Sequence, residues 1–174
     1  MTKTRQPKFS LIPQYVFRDI TDVSTEFLEQ QGIKFLMLDL DNTLAAYDEH
    51  VLSDNIVTWL ADIRNSGIEL FIISNSTRKN RVGPLCDSVG IKYIMQAFKP
   101  SPKTLLDAME SEGFSRDVSA LAGDQIVTDG IAANRAGVLS IVIKPKHFSN
   151  IFLAIRYVFE LPFRAMCKNK MTPR

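Results

Sequence analysis

The chain has 174 residues, 45% hydrophobic and 23% charged, which is the make-up of an ordinary globular protein long enough to bury a sizeable core in a single domain over 1–174. That composition does not favour disorder and contains no low-complexity segment, and no apolar run approaches the ~18 residues that a membrane-spanning helix needs. The net charge of +2 is small, but it conceals basic ends and an acidic body.

In chain order, the basic segment 1–18 comes first, with Lys3, Arg5, Lys8 and Arg18 and no acid, and its polar opening leads into no apolar signal-peptide core. Five short apolar segments then recur, at Phe35–Leu40, Leu70–Ile73, Tyr93–Met95, Ser119–Ala122 and Ser140–Ile143. Each is aliphatic or β-branched enough for a buried parallel strand. Helical spacing fills the intervals. Ile56, Leu60 and Ile63 share a face of a helix ending at Gly67, Ser101 and Pro102 suit the start of the next, and IVTDGIAANRAG ends at Gly137. The segment 147–170 places Phe148, Ile151, Phe152, Ile155, Val158 and Phe159 at helical spacing before a basic end, so 147–174 is a basic amphipathic segment. Its apolar face either packs on the sheet or meets anionic lipid.

Strands alternating with helices predict an α/β fold, a Rossmann-like parallel sheet of about five strands with helices on both faces. Ligands of such sheets bind beyond the carboxyl ends of the strands. The first strand ends in Asp39-Leu40-Asp41-Asn42-Thr43, and the two-residue period of a strand sends both aspartates to one side. Later ends supply Ser74 and Asn75, then Lys99, then Asp124. Taken singly, each suits a cap, a turn or a solvated surface. A hydroxyl, an ammonium and three carboxylates at successive strand ends point jointly to phosphate and metal chemistry.

These motifs, DxDxT, a Ser after the second strand, a Lys and a late GD pair, resemble those of the haloacid dehalogenase superfamily. LDLDNTL, IISN, FKP and GDQIVTD are similar to its YqeG-like branch, subfamily IIIA, and the likeness to LIPQYVFRDI extends it over most of the chain. The resemblance implies a phosphatase with Asp39 as nucleophile and Asp41 as general acid and base. It also implies Mg²⁺ on Asp39, the carbonyl of Asp41 and Asp124, with Ser74, Asn75 and Lys99 on the phosphoryl oxygens. Lys103 rivals Lys99, Thr43, Asn42 and Asn75 organise loops, and Asp129 touches the metal through water or orients Lys99. The intervals from Thr43 to Ser74 and from Ser74 to Lys99 are filled by helix and strand, so the fold is expected to be capless and open.

The same branch is similar to mitochondrial phosphatidylglycerophosphate phosphatases, which implies a lipid phosphate as a substrate class and peripheral contact at the inner face of the membrane. The alternatives are a soluble phosphorylated metabolite, or a domain that keeps the fold and holds an RNA or protein partner. Intact Asp39 and Asp41 argue for the enzyme and against nucleic acid. Asp41 also argues against a receiver domain, and a dinucleotide fold lacks its GxGxxG. Cys86 and Cys167 match neither a disulfide framework nor paired ligand spacing, and His50 and His147 lack ligand partners, so a reduced, cytoplasmic setting is expected.

Overall fold

The computed structural model describes residues 5–147 and 151–169. Lys3 and Phe148, named above, and the basic end at 170–174 lie outside the described residues. The elements run β1 (Tyr15–Phe17), α1 (Thr25–Gln30), β2 (Phe35–Leu38), α2 (Asp54–Asn65), β3 (Glu69–Ile73) and α3 (Lys79–Ser88). They continue as β4 (Lys92–Ile94), α4 (Lys103–Glu112), β5 (Ser119–Gly123), α5 (Ile131–Ala136), β6 (Leu139–Ile143) and α6 (Ile151–Met166). All six strands pair in parallel, in the order β1-β6-β5-β2-β3-β4. The five anticipated strands are present, and β1 adds a sixth at the edge beside β6. Tyr15–Phe17 stands between Gln14 and Arg18 within the segment read as a basic end.

Strand periodicity divides the core. Leu36, Leu38, Leu70, Ile72, Ala120 and Ala122 point into one cluster with α1, α2 and α3, while Phe35, Met37, Phe71, Ile73 and Leu121 point into another with α4 and α5. Both faces are therefore covered, which is why the strands read as nearly continuous apolar runs. On α2 the buried stripe is Ile56, Trp59, Leu60 and Ile63, and Trp59 Nε1 donates to Val23 O at 2.9 Å, tying the helix to the turn before α1. Truncating Leu60 to alanine would cost about 2–5 kcal/mol, as for other buried leucines. Helix α4 begins at Lys103, one residue later than anticipated, with Pro102 in the capping position and Ser101 Oγ accepting from Lys103 N at 3.3 Å.

Strand β2 stops at Leu38 because Leu40 O turns back to accept the N–H groups of Thr43, Leu44 and Ala45. Asn42 sits at φ 60 inside that turn, a left-handed conformation that asparagine tolerates better than most residues. The chain leaves β2 toward β3 and β4, then crosses to β5 on the other side, so the switch point of the sheet lies between β2 and β5. Asp39 and Asp124 stand at those two carboxyl ends.

The last helix reverses the usual arrangement. Its buried side chains are Glu160 and Arg164, at 1% and 6% exposure, whereas Phe152 is 78%, Ile151 66% and Val158 62% exposed. Arg164 Nη1 donates to Ile143 O at 2.8 Å, and Nη2 donates to Asp124 O and pairs with Glu160 Oε2 at 3.1 Å. Glu160 Oε1 accepts from Val127 N at 3.1 Å, and the guanidinium stacks over Tyr157 with 4.8 Å to the ring centre. The helix is thus held to the ends of β5 and β6 by the hydrogen bonds that the buried pair Glu160 and Arg164 makes to the main chain there, while its most apolar face stays exposed. Arg164→Met strands Glu160 as a buried, unpaired charge and is expected to cost about 3–5 kcal/mol in urea unfolding. Adding Glu160→Gln should recover part of that loss, and equal stability of Arg164→Met and the parent would refute the clamp.

Candidate active site

Four strand ends bring the charged residues together. Asp39 follows β2 and keeps its ladder bond, its N–H donating to Ala122 O at 2.9 Å. Its Oδ1 accepts from Lys99 Nζ at 2.6 Å; the same ammonium donates to Ile73 O at 2.7 Å and stands 2.7 Å from Asp129 Oδ1. Two hydrogen bonds and one ion pair thus hold the ammonium in place. Thr43 Oγ1 donates to Asp39 Oδ2 at 3.3 Å. Asp39, Lys99, Asp124 and Asp129 are all buried.

The loop that delivers Lys99 is fixed by Asn75, whose side chain copies a strand partner: Lys99 N donates to Asn75 Oδ1 and Asn75 Nδ2 donates to Lys99 O, each at 2.9 Å. Ala97 N adds a bond to Ser74 O at 3.0 Å. Ser74 itself is fully buried, with Oγ accepting from Ser76 N at 3.0 Å, and it is Asn75 and Ser76 that border the open space. Lys103, the rival lysine, lies exposed on α4 and pairs with Asp107 at 2.6 Å. His50 and His147 are exposed, and Cys86 and Cys167 are buried thiols.

A cavity of about 310 Å³ is lined by the buried Asp39 and Lys99, by Asp41, and by the more exposed Tyr47, Asn75, Leu153 and Arg156 at its rim. Among the described residues no folded insertion covers it, since only α2 separates β2 from β3 and only α3 separates β3 from β4.

Burial dominates the electrostatics. It pushes the Asp39 carboxyl from the ordinary 3.8 up to about 7, against the pull of Lys99 and with further pushes from Asp129 and Asp41. Asp124 is raised well above the carboxylate range by burial, with Asp39 and Asp129 adding repulsion. Burial also raises Asp41, opposed first by Arg81. For Lys99, burial acts to lower the value, and Asp129 and Asp39 together outweigh it and raise it.

The donor set fits a divalent cation. Ligand oxygens of Asp39, Asp124 and Asp129 lie within 4.8 Å of one another, and Asp124 Oδ1 is buried without a hydrogen-bond partner among the described residues. Asp129 is engaged already, by Lys99 and by Gln125 N, which donates to its Oδ2 at 3.1 Å. Three buried carboxylates with one ammonium leave an excess of negative charge, and hard oxygen donors of this kind suit Mg²⁺ or Ca²⁺.

A family model described as haloacid dehalogenase-like hydrolase matches residues 7–137. The chain belongs to that family. Over 146 residues it is 30% identical to the Bacillus subtilis (strain 168) protein "Probable phosphatase YqeG", covering 84% of each chain. Among solved structures, 3-deoxy-D-manno-octulosonate 8-phosphate phosphatase from Moraxella catarrhalis, in complex with magnesium, phosphate and KDO, aligns with a TM-score of 0.52. The identity is 19%, over 82% of this chain and 94% of that one. The cobalt-bound phosphatase YrbI from Haemophilus influenzae aligns with a TM-score of 0.52 at 17% identity, over 80% of this chain and 92% of that one. At such identities the structural likeness speaks for the haloacid dehalogenase fold alone.

Sequence reasoning missed Arg81, the rim residues Arg156 and Leu153, and the reason for the glycine of the GD pair. Gly123 is needed for space, because a Cβ there would stand 2.3 Å from the Asp129 carboxyl carbon, and its place beside Asp124 was the only signal. A folded-state value of about 7 for Asp39 means that the metal-free protein binds a proton there which the unfolded chain, titrating near 3.8, has lost. The associated stability is present below the unfolded value and disappears as pH rises through about 7. Mg²⁺ should therefore raise the melting temperature of EDTA-treated protein more at pH 8 than at pH 5, and Asp39→Asn should flatten the difference. Equal stabilisation at both pH values would contradict the cation site.

Proposed function

We propose that this haloacid dehalogenase-like hydrolase is a Mg²⁺-dependent phosphate-monoester phosphatase that works through an aspartyl phosphate on Asp39. The observation that carries this reading is the convergence of Asp39, Asp41 and Lys99 on one open cavity at the switch point of the sheet, with the buried carboxylate of Asp124 within 4.8 Å of Asp39. The name of the Bacillus subtilis relative supports it.

A phosphate dianion repels nucleophiles and its alkoxide leaves poorly, so the site must offset charge and deliver a proton. Asp39 attacks phosphorus through one carboxylate oxygen. Lys99 holds the transferring oxygens, with Asn75 maintaining the loop that carries it and the buried Ser74 bracing that loop by accepting from Ser76 N and Ala97 N. Asp129 keeps the ammonium aimed at Asp39. Mg²⁺, held by Asp39, Asp124 and the carbonyl of Asp41, would supply positive charge against which both nucleophile and phosphoryl group can be brought together. Asp41 gives its proton to the departing oxygen and takes one back from the water that releases phosphate, and burial raises its carboxyl in the direction that this first task requires.

The substrate we assign is a membrane phospholipid phosphate, with phosphatidylglycerophosphate as the specific candidate. Two features support that choice over a soluble metabolite. The mouth is uncovered, and its rim residues Leu153 and Arg156 belong to α6, whose outward face exposes Ile151, Phe152, Ile155, Val158 and Phe159. Beside it, Arg18, Lys144 and Lys146 line a second surface hollow, accompanied by Asp19 and Asp22. An apolar helix face flanked by cations suits the boundary of an anionic bilayer. Among the described residues no helix is long and apolar enough to cross a membrane, so the contact is peripheral.

Asp39→Asn keeps the shape of the side chain and removes the nucleophile, so phosphate release should fall by at least ~10³-fold with the fold retained by circular dichroism. Undiminished turnover would refute the mechanism. On liposomes containing the lipid phosphate, turnover should exceed that on sugar phosphates and nucleotides, and Phe152→Ser with Val158→Ser should reduce vesicle sedimentation and lipid turnover while sparing a soluble aryl phosphate. Efficient hydrolysis of a soluble metabolite without vesicle binding would reject the lipid assignment and leave the phosphatase standing.

A further inference from the structure

Arg81 is 1% exposed and is the largest of the fully buried side chains. It projects from the first turn of α3, and each of its three nitrogens is bonded. Nη2 donates to Ala46 O at 2.6 Å, Nε to Glu49 O at 2.8 Å, and Nη1 to Asp41 Oδ1 at 2.6 Å. Two of these partners are main-chain carbonyls in the loop after the DNT turn. The guanidinium is therefore placed by the backbone, and it presents its remaining nitrogen to Asp41 in a preset plane. Asp41 Oδ2 has no hydrogen bond among the described residues, and Asp41 lines the cavity. A tie between α3 and the loop would need only the two carbonyl bonds. The third bond fixes the rotation of a carboxyl group that borders the reacting centre.

We propose that Arg81 is a positioning residue that aims Asp41 Oδ2 at the leaving-group oxygen. The inference rests on the reading of Asp41 as proton donor. In the first half-reaction the bond from phosphorus to the leaving oxygen breaks as the bond to Asp39 forms, and the proton on Asp41 Oδ2 passes to the departing oxygen. In the second, water attacks phosphorus, its proton returns to Asp41, and the bond between Asp39 and phosphorus breaks. With Oδ1 pinned, a single oxygen serves both transfers from a constant direction. A lysine cannot do this equally well, because an ammonium is a point charge on a flexible stem and lacks the planar fork.

The test uses the leaving group. Arg81→Lys and Arg81→Gln are assayed on an alkyl phosphate, whose alkoxide needs a proton, and on p-nitrophenyl phosphate, whose phenolate does not. The readout is kcat/KM, which covers the steps up to release of the alcohol, with folding followed by circular dichroism. Loss of aim should lower kcat/KM for the alkyl phosphate by roughly 30–100-fold, within the range of general-acid contributions, and for the aryl phosphate by less than about 3-fold. In Asp41→Asn, adding Arg81→Lys should produce no further loss on the alkyl phosphate, because the two changes remove one function. Equal slowing of both substrates, no change on either, or additive losses with Asp41→Asn would overturn the inference. If Asp41→Asn itself spares the alkyl phosphate, the proton-donor reading falls too; if it is damaging while the Arg81 variants slow both substrates equally, the positioning inference alone fails.

Discussion

A buried ammonium shared by two carboxylates and a main-chain carbonyl is the interaction on which the rest depends. Lys99 reaches Asp39 after β2, Ile73 O at the end of β3 and Asp129 after β5, so one side chain ties three strand ends to the loop that follows β4. Removing one partner from such a cluster leaves an uncompensated buried charge, typically costing about 3–5 kcal/mol. The cluster nevertheless remains over-supplied with carboxylates. Burial pushes Asp39 and Asp124 toward their protonated forms, and the same excess that opposes ionisation makes the site receptive to a cation. Local folding and the capacity for phosphoryl chemistry thus follow from one placement of charge.

The clamp of α6 connects that centre to the molecular surface. Arg164 bonds to the carbonyl of Asp124, so the residue whose Oδ1 lacks a hydrogen-bond partner among the described residues is held through its backbone by the helix that also carries Arg156 and Leu153 to the cavity. By satisfying its polar stripe internally, α6 is left with its apolar stripe outward. An arrangement of this kind gives up the burial that usually anchors an amphipathic helix. It leaves an apolar surface adjacent to an uncovered cavity.

Most of the sheet was legible because parallel strands covered on both faces must be apolar along nearly their whole length, as Phe35–Leu38 and Leu139–Ile143 are. The site was legible for a related reason. Asp39, Asp41 and Asp124 come just after such runs and Lys99 in the loop after β4, where the topology brings them together. Ser74 is buried and does not line the cavity, and Lys99 rather than Lys103 stands beside Asp39. What escaped reading depends on approach in three dimensions. Nothing local distinguishes Arg81 from other arginines on a helix, since its partners Asp41, Ala46 and Glu49 lie more than thirty residues away in sequence. Gly123 matters only through the side chain that packs against it. Periodicity described the two stripes of α6 but could not say which one faces inward, because the buried pair Glu160 and Arg164 outweighs hydrophobicity only once Asp124 O, Ile143 O and Val127 N are in reach.

The central claim is that Asp39 carries the phosphoryl group, and trapping that acyl phosphate tests it most directly. Protein quenched during steady turnover of a phosphate monoester and reduced with borohydride would convert a phosphorylated aspartate to homoserine, which peptide mass spectrometry locates. The account predicts homoserine at position 39, dependent on both substrate and Mg²⁺ and absent when Asp39 is replaced by asparagine. Homoserine at another aspartate, or none anywhere during rapid phosphate release, would contradict it.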